Sequence, residues 1–142
     1  MEVFVEHRGA VRFDIKARHH TIVCDQPAEG GVDEGMTPPE LLLASLGSCA
    51  AYYAAQYLRR HQLAKDGLRV RVTADKVKDP PRLDNFRIEV YAPLVLNAEQ
   101  LTRLEESVHH CLIRNTLLHP PRIELAITLP QVAGQIANWG TA

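Results

Sequence analysis

Apolar and polar residues alternate in three short segments at the start of the chain. The first two are residues 2–7 (EVFVEH) and 11–17 (VRFDIKA), and Arg8-Gly9 between them is a typical turn sequence. Because the side chains of a strand point alternately to its two faces, this period of two predicts an antiparallel hairpin. Residues 21–24 (TIVC) predict a third strand.

Two more alternating segments follow in the middle of the chain, and another lies near its end. Residues 78–85 (KDPPRLDN) join the middle pair, which therefore predicts a second hairpin. The segment after residues 119–122 (HPPR) predicts a closing strand. The apolar positions of the three segments are Leu68, Val70, Val72 and Ala74; Phe86, Ile88, Val90 and Ala92; and Ile123, Leu125, Ile127 and Leu129.

A long helix is predicted from Thr37 to about Gln62. Thr37 and Glu40 have the spacing of a capping box, and Pro38 occupies the first helical position. Residues 41–58 carry no charge and are apolar on nearly every face. A helix of this kind is buried on all sides, so we expect a partner chain in a dimer to cover part of it.

A second helix is predicted after Asn97, which is a favourable N-cap residue. Leu101, Leu104, Val108 and Cys111 follow with the alternating spacing of three and four residues that marks one buried helical face. This pattern places Cys111 at the end of the second helix. The remainder of the chain shows no internal repeat.

Composition excludes several classes of protein. A chain of 142 residues favours a single domain, here residues 1–142. With 16 Lys plus Arg against 17 Asp plus Glu, the chain lacks the basic excess of a nucleic-acid binder. The apolar run 41–58 is just long enough to span a bilayer, but its serine, glycine, glutamine and alanine content favours a helix buried in protein.

Cysteine usage and the start of the sequence bear on the compartment. Three cysteines are too few for the disulfide framework of a small secreted domain. The start MEVFVEHRGA lacks the basic and apolar regions of a signal peptide. We therefore expect a cytoplasmic protein with reduced thiols and no membrane partner.

Cys49 and Cys111 are the candidate chemical groups, because each falls on a predicted buried helical stripe. Two interpretations remain open for them. Buried cysteine often packs as a small apolar residue, whereas a reactive thiol needs a nearby cation or helix N-terminus. Arg18, His19 and His20, at the end of the second predicted strand, are the candidate cations.

Other tempting residues have simpler explanations. The capping box accounts for Glu40 without any chemistry. His109 and His110 adjoin Cys111, but adjacent residues point in different directions and no second pair has ligand spacing, so no metal or other cofactor is expected. Cys24 has no nearby cation in the sequence, and we assign it no role.

Two motifs resemble those of the OsmC and organic-hydroperoxide-resistance proteins. Residues 30–53 (GGVDEGMTPPELLLASLGSCAAYY) are similar to the first cysteine motif of that family, and residues 109–117 (HHCLIRNTL) are similar to the second. The order of predicted elements also agrees over nearly the whole chain. The amino-acid sequences of the two motifs most resemble those of the OsmC-like branch of the family.

The resemblance implies an α+β fold with antiparallel sheets around a long central helix, assembled as an intertwined homodimer. It also implies a peroxidase that reduces organic hydroperoxides and is recycled by a thiol reductant. Cys49 would be the peroxidatic thiol and Cys111 the resolving thiol. Arg18 and Glu40 are the matching candidates for the activating residues.

The resemblance further implies that an apolar lining formed by Leu42, Leu46 and Tyr53 favours alkyl or lipid peroxides. The alternative interpretation is a non-enzymatic protein of the same fold that senses redox state or binds a small ligand. Turnover of a peroxide that depends on Cys49 distinguishes these two functions.

Overall fold

The computed structural model describes residues 1–130, and it begins with a three-stranded antiparallel sheet. The strands are β1 (Phe4–Gly9), β2 (Arg12–Ala17) and β3 (His20–Cys24), with β2 in the centre. All three strands predicted in this region are confirmed. The first turn lies one or two residues later than predicted, because Gly9 and Ala10 adopt the positive φ values, 112° and 45°, that reverse the chain.

Helix α1 (Pro38–Arg60) begins where the capping box predicts. The Thr37 side chain accepts the backbone N–H of Glu40, and the Glu40 carboxylate accepts the backbone N–H of Thr37 at 2.8 Å. The helix ends two residues before the predicted position, because Gln62 takes a left-handed conformation with φ of 56°. The long-helix prediction is therefore confirmed apart from its last two residues.

The second hairpin consists of β4 (Arg69–Lys78) and β5 (Pro81–Tyr91), paired antiparallel. The strands extend into the segment predicted as a connection, so that only Asp79-Pro80 forms the turn. Their apolar face packs against α1. Gly47 makes this approach possible, because a Cβ atom there would lie 3.1 Å from Cγ2 of Val72.

Helix α2 (Ala98–Val108) is capped by Asn97 as predicted and is followed by a separate helix, α3 (Leu112–Leu118). Cys111 therefore does not end the second helix, contrary to the prediction. It is the N-cap of α3, because the chain turns at His109 and His110. Leu101 was predicted to be buried, but its side chain is 54% exposed.

The core lies between α1, α2 and the second hairpin. Its fully buried members come from the two helices, and side chains from β4, β5 and the loops pack around them. The buried members are Ala50, Ala54, Tyr57, Leu58, Leu104 and Val108. Within residues 1–130 the N-terminal sheet has no comparable packing against α1.

The predicted closing strand is wrong for the single chain. Residues 120–130 have no strand partner among the described residues, and their apolar side chains are exposed. A strand forms only where a neighbouring strand accepts its backbone hydrogen bonds, and the chain offers none at this position. The exposed side chains of this segment are Ile123, Leu125, Ile127 and Leu129.

The outer side of α1 is also incompletely covered. Ala44, Ser45, Ser48 and Tyr52 are exposed, although the sequence predicts a helix that is surrounded by protein. In one chain α2, α3 and the second hairpin cover only the opposite side.

Across residues 1–130, no helix has both the length and the apolar character needed to cross a bilayer.

Candidate active site

One face of α1 carries Cys49 together with the three residues predicted to line a substrate pocket. Leu42, Leu46, Cys49 and Tyr53 follow one another at spacings of four, three and four residues, which keeps them on one side of a helix. Leu46 is fully buried, whereas Leu42, Cys49 and Tyr53 are half-buried. A peroxide could therefore reach the Cys49 thiol from this face, and the lining role of its neighbours remains a prediction.

Cys111 occupies a different local structure. As the N-cap of α3, its Sγ accepts the backbone N–H of Arg114 at 3.4 Å. Its side chain is completely buried, because α3 packs against α1 at this point. A free molecule in solution has no direct path to this thiol.

The thiols of Cys49 and Cys111 are neighbours in the fold. Cys49 and Cys111 are both free, and their side chains are neighbours where α3 packs on α1. Burial, and after it the nearby Cys49 thiol, raises the pKa of the Cys111 thiol. Cys111 therefore stays protonated near neutral pH while Cys49 is the thiol open to solvent.

Glu40 lies at the start of α1, where both of its carboxylate contacts are to Thr37. The backbone N–H and the hydroxyl of Thr37 each donate to Oε2 at 2.8 Å, and the first of these bonds is the main cause of the lowered pKa of Glu40. Nine residues separate Glu40 from Cys49, so the two side chains leave opposite faces about 13 Å apart along the axis. Its catalytic role remains a prediction.

Arg18 lies in the turn between β2 and β3, where its φ is 56° and its side chain is exposed. His19 and His20 are exposed beside it, with their rings 4.1 Å apart. Within residues 1–130, no cationic side chain forms a hydrogen bond or ion pair with Cys49 or Cys111.

Asp25 is a structural residue that the sequence analysis did not identify. It is the only buried acidic side chain in the described part of the chain. Its carboxylate accepts the backbone N–H groups of Gln26 (2.8 Å), Val32 (3.0 Å) and Glu34 (3.1 Å). These bonds, with that of Glu34 the strongest influence, lower the pKa of Asp25.

Asp25 fixes the glycine-rich loop that leads into α1. A Cβ atom at Gly31 would lie 2.2 Å from Oδ1 of Asp25, so only glycine allows the loop to wrap the carboxylate this closely. The loop returns to the sheet where Cys24 forms a bridge with Met36, directly before the helix cap. The signal in the sequence was an acidic residue at the start of a glycine-rich loop.

A cleft opens between α1 and α2 beside the thiol pair, with a volume of about 440 Å³. We call it the α1–α2 cleft. One face of each helix lines it, at the three- and four-residue spacing of a single helical side. The lining residues are Tyr53, Gln56, Tyr57, Arg60 and His61 of α1, with Arg103, Glu106, Ser107 and His110 of α2 and its C-terminal turn.

Cys24 is the remaining free cysteine of the described chain, and it is buried. Burial, and then the charge of Asp25, raises the pKa of the Cys24 thiol. Among residues 1–130 there is no group of three or more His, Cys, Asp or Glu side chains arranged to hold a metal ion. The nitrogen Nδ1 of His119 pairs with the backbone oxygen of Asn115 at 3.0 Å.

The family model described as OsmC-like protein matches residues 31–126, which is more than half of the chain and includes both interacting cysteines. The chain belongs to the OsmC-like protein family. Membership in this family supports a role in redox chemistry or stress defence. No curated protein matches the sequence significantly.

Solved structures share the fold at low sequence identity. A protein from Psychrobacter arcticus, provisionally assigned as an osmotic stress induced and detoxification response protein, is 21% identical, with a TM-score of 0.72 over 80% of this chain and 85% of that one. An OsmC-like protein from Mycoplasma pneumoniae is 17% identical, and a hypothetical protein from Aquifex aeolicus is 18% identical. Each has a TM-score of 0.68 over 84% of this chain and 87% of its own. The α+β fold of the OsmC-like proteins is thereby confirmed.

Proposed function

We propose that this OsmC-like protein is a cysteine-based peroxidase that reduces organic hydroperoxides. The observation that carries the proposal is the meeting of two free thiols of unequal exposure, Cys49 half-buried and Cys111 fully buried. A peroxide reaches the first thiol, and the second is already beside it. This is the arrangement that a two-cysteine peroxidase requires.

The proposed reaction has three balanced steps. The Cys49 thiolate attacks the outer oxygen of the hydroperoxide, the O–O bond breaks, and the alcohol leaves after taking up a proton, so that Cys49 becomes a sulfenic acid. Cys111 then attacks the Cys49 sulfur and water leaves as the disulfide forms. A dithiol reductant returns both cysteines to thiols by exchange and becomes a disulfide itself.

The unequal environments of the thiols suit these roles. Cys111 has a raised pKa and is buried, so it does not compete for peroxide in the resting protein. Once Cys49 is a sulfenic acid, its sulfur is the electrophile nearest to Cys111. The half-buried lining of Leu42, Leu46 and Tyr53 provides apolar surface for the organic group of the peroxide.

The proposal includes a homodimer that supplies Arg18. The N-terminal sheet is not packed on α1 of its own chain, and the outer side of α1 is exposed. If the sheet of a partner chain covers that side, its Arg18 approaches the Cys49 thiolate and stabilises the negative charge of the departing oxygen. Glu40 is held by Thr37 on the opposite face of α1, which favours the helix-cap role over a catalytic role for this residue.

A peroxidase assay with a simple organic hydroperoxide and dithiothreitol tests the proposal. Cys49→Ser should abolish turnover, and Cys24→Ser is the matched control because Cys24 is free but lies away from the pair. Without dithiothreitol, Cys111→Ser should react once and keep Cys49 as a sulfenic acid. Undiminished turnover by the Cys49 variant would exclude this cysteine as the nucleophile.

The second candidate function is non-enzymatic redox sensing or small-ligand binding. One observation favours it, namely that no cationic side chain among residues 1–130 contacts either thiol within the single chain. A slow, stoichiometric Cys49–Cys111 disulfide without multiple turnovers would support this function over the peroxidase.

A further inference from the structure

The α1–α2 cleft has a composition that the proposed chemistry at the thiols does not use. Arg60 and Arg103 line it, with His61 and His110, whereas Glu106 is its only acidic residue. Two guanidinium groups and one carboxylate therefore line the cleft. Its volume of about 440 Å³ falls within the usual range of small-molecule sites, roughly 300–1,000 Å³.

The charged groups of the cleft are only partly paired. Arg103 forms an ion pair with Glu99 one helical turn away, at 2.9 Å. In the described part of the chain Arg60 forms no salt bridge, although it lines the cleft and its side chain reaches solvent. A guanidinium offers a fork of N–H donors that matches the two oxygens of a carboxylate.

The cleft leads towards the thiols. Tyr53 is at its near end, one turn of α1 beyond Cys49, and its ring lies 6.3 Å from that of His110, the neighbour of Cys111. Arg60 lies at the far end, eleven residues from Cys49, or about 16 Å along the helix axis. Tyr53 and Tyr57 supply aromatic surface along the cleft.

We propose that the α1–α2 cleft binds an organic monoanion whose carboxylate pairs with Arg60 and whose other end reaches the Cys49–Cys111 pair. Its role in turnover rests on the peroxidase function proposed above, although the binding itself does not. The single Glu106 favours a carboxylate over a doubly charged phosphate. Either reactant of the proposed cycle, the hydroperoxide or the dithiol reductant, could carry this carboxylate.

Binding is measured first, with an unreactive probe and the reduced full-length protein. Dodecanoate, at a concentration below micelle formation, should bind, and Arg60→Gln should weaken its Kd about tenfold or more, since a charge-assisted hydrogen bond is lost. Dodecyltrimethylammonium, of equal chain length and opposite charge, should show no such dependence on Arg60.

Arg59→Gln is the matched control. Arg59 and Arg60 both lie in the last turn of α1, so each contributes equally to the charge at the helix end. Only Arg60 lines the cleft, whereas Arg59 borders a separate depression with Gln62 and Leu63. Equal weakening by both variants, or dodecanoate binding unchanged by Arg60→Gln, would overturn the proposal.

Kinetics then identify the bound reactant. If the hydroperoxide occupies the cleft, Arg60→Gln raises KM for a carboxylate-bearing hydroperoxide and not for a neutral one, with kcat unchanged. If the reductant occupies it, the same variant raises KM for a carboxylate-bearing dithiol and not for dithiothreitol. Arg60-dependent binding with neither change in KM would overturn the link to the thiols. Loss of the peroxidase function alone would appear instead as no turnover of any hydroperoxide, with dodecanoate binding retained.

Discussion

After burial, the Cys49 thiol is the main cause of the raised pKa of the Cys111 thiol, although the two residues belong to separate helices. Cys49 lies in the middle of α1, and Cys111 ends the turn that follows α2. The break between α2 and α3 is what directs the second thiol towards the first. A continuous helix through Cys111 would leave no N-cap to hold its sulfur at this point.

The first prediction is that moderate peroxide converts this pair to a disulfide. Because the two thiols are neighbours where α3 packs on α1, we expect side-chain adjustment to bring them to bonding distance. Peptide mapping after treatment with an organic hydroperoxide should recover Cys49 linked to Cys111. Peptides that link Cys24 to either partner as the main product would contradict this prediction.

Cys24 should remain reduced in the same experiment. Its thiol is 3% exposed, and burial and the adjacent Asp25 carboxylate raise its pKa, so little thiolate is present near neutral pH. Thiol alkylation at pH 7 should modify Cys24 far more slowly in native than in denatured protein. Equal rates in the two states would show that this cysteine is not protected.

Asp25→Asn should loosen the loop at residues 26–36. The native carboxylate accepts several backbone N–H groups, and an amide oxygen is a weaker acceptor that cannot replace both of its oxygens. Hydrogen exchange of the Val32 and Glu34 amides should accelerate about tenfold or more, while amides of β4 and β5 should be unchanged. Uniform exchange across all of these residues would argue against the loop-fixing role.

The pH dependence of this loop follows from the same carboxylate. The pKa of Asp25 is lowered by folding, so its stabilising contribution is fully present above the unfolded value of about 3.9. It is lost as pH falls below that value and passes through the folded pKa. The exchange protection of the loop should therefore disappear on acidification in wild-type protein. In Asp25→Asn it should show no transition of this kind.

Much of the fold could be predicted from local signals. The capping box at Thr37 and the N-cap residue Asn97 placed the starts of two helices, because these hydrogen bonds join residues only three positions apart. Alternation placed five strands, because each pairs with its neighbour in sequence. Family motifs then placed Cys49 and Cys111 in one site.

The features that the sequence did not predict depend on distant partners. The segment at 123–129 alternates like a strand, but its formation requires a neighbouring strand that the described chain lacks. The position of Cys111 depends on a helix break at His109 and His110, residues that do not prevent helix formation. The α1–α2 cleft forms only where the faces of two helices pack together, so no local sequence motif predicts it.

Core packing gives a further prediction. Leu58 is 1% exposed and belongs to the buried cluster formed by α1 and α2, so Leu58→Ala should lower the free energy of unfolding by about 2–5 kcal/mol. Val95 is 97% exposed in the loop before α2, and Val95→Ala should change the free energy of unfolding by less than about 0.5 kcal/mol. Urea denaturation of the two variants measures the difference. Similar effects of both changes would contradict the core assignment.

Dimer formation should cover the exposed apolar segment at 123–129. Leu125 is 88% exposed in the single chain, so Leu125→Glu should place a charge in the interface and shift the protein towards monomer. Glu124→Gln is the control, because Glu124 adjoins Leu125 in the chain and already pairs with Arg122. Sedimentation at micromolar concentration measures the assembly. A folded wild-type monomer, or a Leu125→Glu dimer of unchanged stability, would refute this role.

Activation of Cys49 by Arg18 is the last prediction, and it depends on that dimer. In one chain Arg18 lies in an exposed turn of a sheet that does not pack on α1, so it can act only on the thiol of a partner. A neighbouring guanidinium stabilises a thiolate, and therefore Arg18→Ala should slow alkylation of Cys49 at pH 6 by about tenfold or more. His19→Ala, one residue away in the same turn, should have a smaller effect.

The dimer variant supplies the decisive comparison. If Arg18 acts across the interface, Leu125→Glu should slow alkylation of Cys49 as much as Arg18→Ala does, and combining the two changes should add little, because both remove the same cation. If instead the alkylation rate of the double variant falls by the product of the two single effects, then dimer formation and Arg18 act on Cys49 independently. If Arg18→Ala does not change the rate at which Cys49 is alkylated, Arg18 does not activate this thiol.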